Sequence, residues 1–277
     1  MEMSVFTIVM LAAALHAGWN AIVKGGGDAL LTMVLVTAAA ALFAAASLPF
    51  LPPPAKDSWP FIAASALFQI TYFVLVANAY RVADMSLTYP LMRGTAPLLV
   101  ALASVLWLAE PLSTHAWLGL GVICAGILSM TGAIPRSASK GVGLALGNAI
   151  VIAGYTLIDG VGVRRSGATA AYTLWIFLLT GVALSLWALV RRRTVIPAYA
   201  RENWRLGLLG GVGTIGSYGL ALWAMTVAPV AVVAALRETS ILFGTAISAL
   251  LLHERVGRAR VAGVCIIAVG AMLLRLA

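Results

Sequence analysis

The tripeptide RGT at residues 93–95, followed by LAE at 108–110, recurs in the second half of the chain as RET at 237–239, followed by LHE at 252–254. Both matches lie at the same offset, and repetition at a fixed offset indicates an internal duplication. Further matches are AGWN at 17–20 with AGYT at 153–156, AYRVA at 79–83 with AMTVA at 224–228, and Gly119 and Gly126 with Gly263 and Gly270. The sequence therefore predicts two homologous halves within one structural unit.

The composition around this repeat indicates a protein that lies in a membrane. Hydrophobic residues make up 62% of the 277 positions and charged residues 10%, and the mean hydropathy is +1.02. A helix that crosses a bilayer needs about 20 mostly apolar residues, and only a helix satisfies the backbone of such a segment in lipid. Ten such segments, numbered here as spans 1–10, occupy residues 4–23, 29–51, 59–80, 85–108, 116–134, 141–163, 168–190, 206–227, 230–252 and 258–275.

The fold class predicted from these spans is an all-α integral membrane protein with ten transmembrane helices. Spans 1–5 fall in residues 1–135 and spans 6–10 in residues 136–277, and the connections, including the polar stretch 191–205, are predicted to be turns. Because each half has an odd number of spans, the second half enters the membrane from the opposite side. Inverted repeats of this kind around a central cavity are typical of secondary transporters.

Charged and titratable residues are distributed unevenly among the spans. Spans 2, 5, 7 and 10 carry no charge in their central stretches, whereas spans 1, 4, 6 and 9 contain His16, Arg93, Asp159, Arg237 and Glu238. Spans 3 and 8 carry mainly uncharged polar residues there. An ionisable side chain at mid-membrane costs roughly 2.5–3.5 kcal/mol on insertion scales. These residues are therefore predicted to face a cavity lined by spans 1, 3, 4, 6, 8 and 9.

The candidate substrate-binding residues lie on these six spans and are His16, Trp19, Asn20, Gln69, Tyr72, Asn78, Arg93, Tyr155, Asp159, Tyr218, Trp223, Arg237 and Glu238. Arg93 and Arg237 are the first candidates, because a guanidinium is a strong partner for a substrate carboxylate. His16 either relays protons or makes a structural hydrogen bond. The aromatic rings either form walls for an apolar ligand group or pack between helices. Asp159 lies close to the end of its span, where its side chain can also reach the interface.

Three further features carry structural predictions. Pro90 and Pro97 bracket Arg93 and are predicted to bend span 4 and to act as hinges. Glu110 and Glu254 lie at the ends of spans 4 and 9 and are predicted to make interfacial hydrogen bonds. Glycines at positions that permit close helix approach are Gly119 and Gly126, Gly143 and Gly147, and Gly207 and Gly211.

The duplicated five-helix plan, the HAGWN stretch at 16–20 and the LAE and LHE tripeptides resemble the drug/metabolite transporter superfamily, in its EamA-type branch of ten-helix carriers. That branch includes bacterial amino-acid exporters of the YddG type. The resemblance covers nearly the whole chain and implies a basket-like bundle in the inner (plasma) membrane, alternating access and no nucleotide-hydrolysing domain. It also implies that spans 1, 3, 4, 6, 8 and 9 surround the cavity, in agreement with the charge distribution.

On this basis we expect a secondary transporter that exports small polar metabolites, above all amino acids, including aromatic and apolar ones. Its partners are then the small-molecule substrate and membrane lipids, and it needs neither cofactor nor metal; a monomer is expected. A multidrug exporter or a carrier of lipid-linked or nucleotide-linked sugars would share the fold. Paired cations in the cavity favour a phosphate, whereas mixed charges with aromatic rings favour a zwitterion.

Functions of other classes find less support in the sequence. GGGD at 25–28 contains the GxGD string of intramembrane aspartyl proteases, but the Tyr-Asp pair of such enzymes does not accompany it, and no catalytic residue is predicted. A channel filter is missing as well. The basic residues behind the net charge of +9 occur singly or in short runs, which does not indicate nucleic-acid binding. Cys124 and Cys265 lack the spacing of metal ligands.

The orientation of the chain is ambiguous. Loop arginines and lysines, including the arginines at 191–193, Arg201 and Arg205, concentrate on the face opposite the N-terminus. The positive-inside rule assigns such loops to the cytoplasm, which places both termini outside. Carriers of the EamA-type branch are usually drawn with both termini inside, so both orientations stay open.

Overall fold

The structure, a computed structural model, describes residues 1–131, 138–251, 253 and 256–277. Within these residues the chain forms α-helices and short 3-10 turns and no β-strand. The helices are α1 (Met3–Gly25), α2 (Ala29–Ser47), α3 (Trp59–Val82), α4 (Met85–Trp107), α5 (Thr114–Leu128), α6 (Ser139–Ser166), α7 (Thr169–Arg192), α8 (Ile196–Val227), α9 (Val230–Arg237), α10 (Ser240–Leu250) and α11 (Arg258–Leu276).

Ten segments of the described chain are long and apolar enough to cross a membrane. Helices α1 to α8 correspond to spans 1–8, α9 and α10 together form span 9, and α11 is span 10. The predicted fold class of ten spanning helices is confirmed. Parts of the connections after spans 5 and 9 lie outside the described residues, and Glu254, with its predicted interfacial role, is among them.

The connection between spans 7 and 8 differs from the predicted turn. Helix α7 continues to Arg192 and α8 begins at Ile196, so only residues 193–195 separate them. Pro197 lies in the first turn of α8, where its missing N–H costs no hydrogen bond and its ring fixes a helical φ. The residues that follow include good helix formers and no glycine. The polarity that suggested a loop instead marks helical turns that extend beyond the hydrocarbon.

The interruption in a span lies in span 9 and not at the prolines of span 4. Helix α4 continues through Pro90 and Pro97, both of which are buried. In span 9 the backbone hydrogen bonds change from the α-helical to the 3-10 pattern. The N–H of Glu238, for example, donates to the Ala235 carbonyl, three residues earlier, at 3.1 Å. The Thr239 hydroxyl donates to the Leu236 carbonyl at 2.6 Å and so competes with the regular helical bond. Helix α4 is thus continuous through both prolines, and the bend and hinge role expected of Pro90 and Pro97 stay predictions.

The backbone supports the internal duplication. Ala109 and His253 are the central residues of the repeated LAE and LHE tripeptides, and each has a φ of +52°. This left-handed conformation is uncommon for residues other than glycine, so its occurrence at both matched positions indicates the same local structure after spans 4 and 9. The helices also pack in repeat-related pairs, with α3 against α6 and α1 against α8, and with α4 against α6 and α1 against α10.

Helices α5 and α11 make an intimate contact between the two halves. Gly119 faces Gly270 and Gly126 faces Gly263, so that the four matched glycines meet crosswise. A Cβ atom on Gly119 would lie 2.8 Å from the backbone nitrogen of Leu274, and one on Gly263 would lie 2.8 Å from the Gly126 carbonyl oxygen. Since apolar helices gain little by leaving lipid, such close backbone contact supplies the attraction between them.

The other predicted glycine contacts are confirmed in part. A Cβ on Gly211 would lie 3.0 Å from the backbone nitrogen of Ala40, and one on Gly207 would collide with the Leu35 side chain. Gly143 and Gly147, in contrast, have nothing within 4 Å of an added Cβ. Their predicted role in close packing is wrong, because they lie on an open side of α6.

We expect Gly119→Ala to destabilise the protein, because the new methyl group meets backbone atoms of α11 that cannot move independently. Overpacking of this kind costs about 1–3 kcal/mol. The measurement is thermal unfolding of the purified protein in detergent, where the substitution should lower the midpoint by several degrees. Gly121→Ala is the matched control on the same helix, since nothing lies within 4 Å of its Cβ. Equal midpoints for the two variants would contradict the assigned contact.

Candidate functional site

An ion pair joins the two halves in the core of the bundle. Arg93 in the middle of α4 donates from Nε to Oε2 of Glu238 at 2.8 Å, and both side chains are buried. Arg93 belongs to span 4 and Glu238 to the matched span 9, at the point where that span is interrupted. Nη2 of Arg93 is buried and has no hydrogen-bond partner in the described structure.

Arg237 forms no ion pair with the neighbouring Glu238 in the described structure, and side chains of successive helical residues diverge by about 100°. Its guanidinium carbon lies 5.0 Å from the centre of the Tyr218 ring, over the ring face. Arg237 is buried, and no acidic partner is found for it among the described residues. The ring supplies a cation–π contact, which compensates a buried charge less completely than a carboxylate does.

Asp159 is the centre of a second polar cluster. It is completely buried and accepts hydrogen bonds from Ser65 at 2.8 Å, from Tyr172 at 2.9 Å and from the Tyr218 hydroxyl. These partners lie on α3, α7 and α8, so one carboxylate of α6 binds three other spans. Asp159 therefore lies in the core, and its predicted alternative of reaching the interface is wrong, because α6 continues for two more turns.

Tyr172 and Ser65 are the residues of this cluster that the sequence reasoning missed. Span 7 carries no charge and is not among the predicted cavity spans, yet its Tyr172 is fully buried against Asp159. A buried carboxylate needs hydrogen-bond donors, so the hydroxyl groups of otherwise apolar spans are the signal that points to such partners. Gln69 extends the cluster, since its amide donates to the Ser65 hydroxyl at 3.3 Å.

Aromatic rings form a continuous row between the polar clusters. Tyr72 and Tyr155 lie edge to face with ring centres 6.3 Å apart, and Tyr155 and Tyr218 follow at 6.5 Å. Phe177 of span 7 adds a further edge-to-face contact with Tyr218 at 6.1 Å. Tyr218 thus contacts Asp159, Arg237 and the aromatic row at once.

The candidates of span 1 lie at half-buried positions on α1. The His16 and Trp19 rings are edge to face at 5.2 Å. Nε1 of Trp19 is buried without a hydrogen-bond partner in the described structure. The Asn20 amide donates to the His16 carbonyl at 2.7 Å, which is a bond within its own helix.

A narrow cavity separates spans 4, 6 and 9. Arg93, Pro97, Tyr155, Arg237 and Glu238 are among its lining residues. Its volume is about 10 Å³, roughly the room that one water molecule needs. Both arginines and Glu238 therefore border one small space, which can take a larger ligand only when the spans move apart.

Of the thirteen candidate residues, Arg93, Tyr155, Arg237 and Glu238 line this space, and spans 1, 3 and 8 contribute none of its lining residues in the described structure. Asn78 and Trp223 are both exposed on the surface of the bundle. Asn78 lies in the last turns of α3, and Trp223 in the last turns of α8. Polarity and aromaticity selected them, but the helical phase directs them away from the cavity.

The end of span 4 holds a separate charged cluster at one membrane face. Glu110 pairs with Arg164 of α6 and accepts from the N–H of Val230, the first residue of α9, at 3.0 Å. Arg164 also donates to the carbonyls of Met225 at 2.7 Å and Ala228 at 3.0 Å. The pair thus satisfies backbone groups at the end of α8 and the start of α9, as helix termini require. The predicted interfacial hydrogen bonding of Glu110 is confirmed.

The GxGD string has a local structural role. The Asp28 carboxylate accepts from the backbone N–H of Leu31 at 3.0 Å and caps α2. This helix cap accounts for an aspartate at position 28 without a catalytic role.

Comparison with known proteins bears on both the fold and the family. The model of the EamA-like transporter family matches residues 3–132 and 139–276, one match in each half. Twenty-nine chains of solved structures match the protein. One, titled "Crystal structure of protein", has a TM-score of 0.78 at 18% identity, over 100% of this chain and 98% of its own. At that identity the likeness shows the fold alone. No curated protein matches.

The family matches and the ten spans lead to one conclusion. The family model accounts for nearly all of the chain, in the two repeats that the sequence predicted. The described helices supply the membrane-length segments of a carrier of that type. The chain belongs to the EamA-like transporter family and is a multi-pass membrane transporter of the drug/metabolite transporter superfamily.

Proposed function

We propose that the protein exports a small zwitterionic metabolite, an amino acid with an aromatic or apolar side chain, from the cell across the inner membrane. The observation that carries the proposal is the incomplete pairing of two buried guanidiniums around one cavity. Arg93 leaves Nη2 without an acceptor in the described structure, and Arg237, which has no acidic partner among the described residues, lies over an aromatic face. Buried donors of charged groups are normally satisfied, and a substrate carboxylate is the acceptor that fits two guanidiniums.

The charge balance of the core favours a zwitterion over a phosphate. Arg93 and Arg237 contribute two positive charges, and Glu238 and Asp159 offer two carboxylates within the same group of contacts. A phosphate dianion would add uncompensated negative charge, whereas an amino acid brings one charge of each sign. Its ammonium group would approach Glu238, and its side chain would pack on the row of tyrosines.

Transport is tested with purified protein in liposomes and a panel of labelled amino acids. We expect flux of aromatic or large apolar amino acids and none of nucleotide-linked sugars or organic phosphates. Amino-acid amides, which lack the carboxylate, should not compete. Flux of another class alone would overturn the substrate assignment. Mass spectrometry of the carried compound should find it unchanged, since chemical conversion would favour the enzyme alternative.

Arg237→Gln should reduce this flux by about tenfold or more, because a charge-assisted hydrogen bond to a carboxylate contributes about 1.5–3 kcal/mol. The measurement is the initial rate of uptake as a function of substrate concentration. The control is Arg258→Gln, which removes the same charge from an exposed position at the start of α11. If both variants transport as the wild type does, Arg237 does not bind the substrate.

Alternating access gives the Glu110 and Arg164 cluster a role in the same proposal. The cluster ties the end of span 4, span 6 and the turn between spans 8 and 9 together at one face. A pathway that opens at this face has to separate these elements. In inverted repeats the opposite face is built from the matched elements. When one face opens and the other closes, the contacts broken at the first face are therefore replaced by matched contacts at the second.

Arg164→Gln should open the pathway at the Glu110 face, because it removes the group that holds three elements together. The reporter is Ala234→Cys at a buried cavity position, in a chain whose Cys124 and Cys265 are replaced by alanine. A membrane-impermeant maleimide added at that face should label it several times faster in the Arg164 variant. Arg165→Gln is the control, since its exposed guanidinium lies over the Phe61 ring at 5.1 Å. Equal labelling rates would contradict the gate.

A further inference from the structure

An apolar groove lies between α2, α7 and α8, away from the central cavity, and has a volume of about 230 Å³. Its walls include Leu35 and Ala38 of α2, Leu189 of α7, and Ile196 and Ala200 of α8. The three helices come from both halves, so the groove follows the seam between them. None of these wall residues belongs to the polar clusters of the candidate site.

Aromatic residues place one end of the groove at the level of the lipid headgroups. Trp187 on α7 and Trp204 on α8 are 48% and 51% exposed, and indole rings favour the membrane interface. Tyr199 lines the groove, and its hydroxyl bonds the Gly26 carbonyl and the Thr32 hydroxyl. The turn between spans 1 and 2 is thereby fixed at the same end.

Positive charge surrounds this end of the groove. Arg192 and Arg193 follow Leu189 by three and four residues, which puts them on the same face of α7. Both are exposed, and in the described part of the chain no ion pair neutralises either of them. Exposed basic residues adjoin them in both helices, namely Arg191, Arg201 and Arg205. The acidic groups nearby are Glu202 on α8 and the capping residue Asp28, whose backbone carbonyl lies 3.4 Å from the Tyr199 hydroxyl.

We propose that the groove binds an anionic phospholipid of the surrounding membrane. The acyl chain would lie against Val34, Leu35 and Ala38 of α2, while the phosphate would meet the guanidiniums of Arg192 and Arg193. Arginine presents a planar set of donors that suits a phosphate, and juxtamembrane arginines attract anionic lipids. Charge complementarity thus selects the lipid headgroup, and the apolar walls of the groove contact the acyl chain of the lipid.

The site would link lipid composition to the arrangement of the two halves. A bound lipid contacts α2 of the first half together with α7 and α8 of the second. It therefore favours whichever arrangement of the halves keeps the groove formed.

Native mass spectrometry of the delipidated protein tests this site, with phosphatidylglycerol and phosphatidylcholine of identical acyl chains as competing probes. The wild type should retain phosphatidylglycerol preferentially. The double variant R192Q/R193Q should bind it about 30-fold more weakly, since each arginine near the surface contributes roughly fivefold. Ala200→Phe should lower the binding of both lipids by filling the groove. Thermal unfolding checks that each variant is folded.

The matched control is K140Q/R258Q, which removes two exposed charges from the same membrane face outside the groove. It should retain phosphatidylglycerol as the wild type does. The proposal is overturned if R192Q/R193Q keeps wild-type affinity, if the control loses as much, or if the wild type does not discriminate between the lipids. It is also overturned if the protein is a dimer that Ala200→Phe dissociates, because a second copy would then occupy the groove.

Discussion

Hydrocarbon offers no hydrogen bonds, so a charged side chain in the middle of this protein depends on partners that other spans provide. Arg93 and Glu238 meet that requirement across the boundary between the halves. Asp159 meets it with hydroxyl groups from three further spans. Removing one partner from such a group leaves a buried charge uncompensated, which is far more costly than never having buried the pair. The positions of a few charges thus specify which faces of the spans meet in the core.

The outer contacts follow a different rule, because apolar helices in lipid associate through close fit. The contact of α5 with α11 depends on glycines from both halves, and the duplication makes it self-complementary: Gly119 is matched to Gly263, and its partner Gly270 is matched to Gly126. One sequence pattern therefore supplies both sides of the contact. The left-handed residues Ala109 and His253 show that the duplication also preserved backbone detail.

The sequence predicted the spans and the repeat well because both depend on properties that lie along the chain. Apolar length sets a span, and a fixed offset marks a duplication. The prediction that the charged spans share a cavity also holds for Arg93, Arg237 and Glu238, which line one space. Hydrogen-bond partners on other spans were harder to predict. The sequence does not show that the Tyr172 hydroxyl lies opposite the Asp159 carboxylate, because that contact depends on how the helices pack. Asn78 and Trp223 were misplaced since composition does not determine which face of a helix turns inward.

The interruption of span 9 illustrates how local backbone and site chemistry depend on each other. Two prolines suggested that span 4 would break, yet each removes only one N–H from a helix whose neighbours hold it in place. In span 9 the 3-10 bonds fall directly beside Arg237 and Glu238. A stretch with weakened helical bonds can change its local geometry at lower cost than a regular helix. Arg237 and Glu238 lie within that stretch, so the place where the backbone of span 9 is easiest to rearrange is also the place where its charges lie, as a carrier that binds and releases a charged substrate requires.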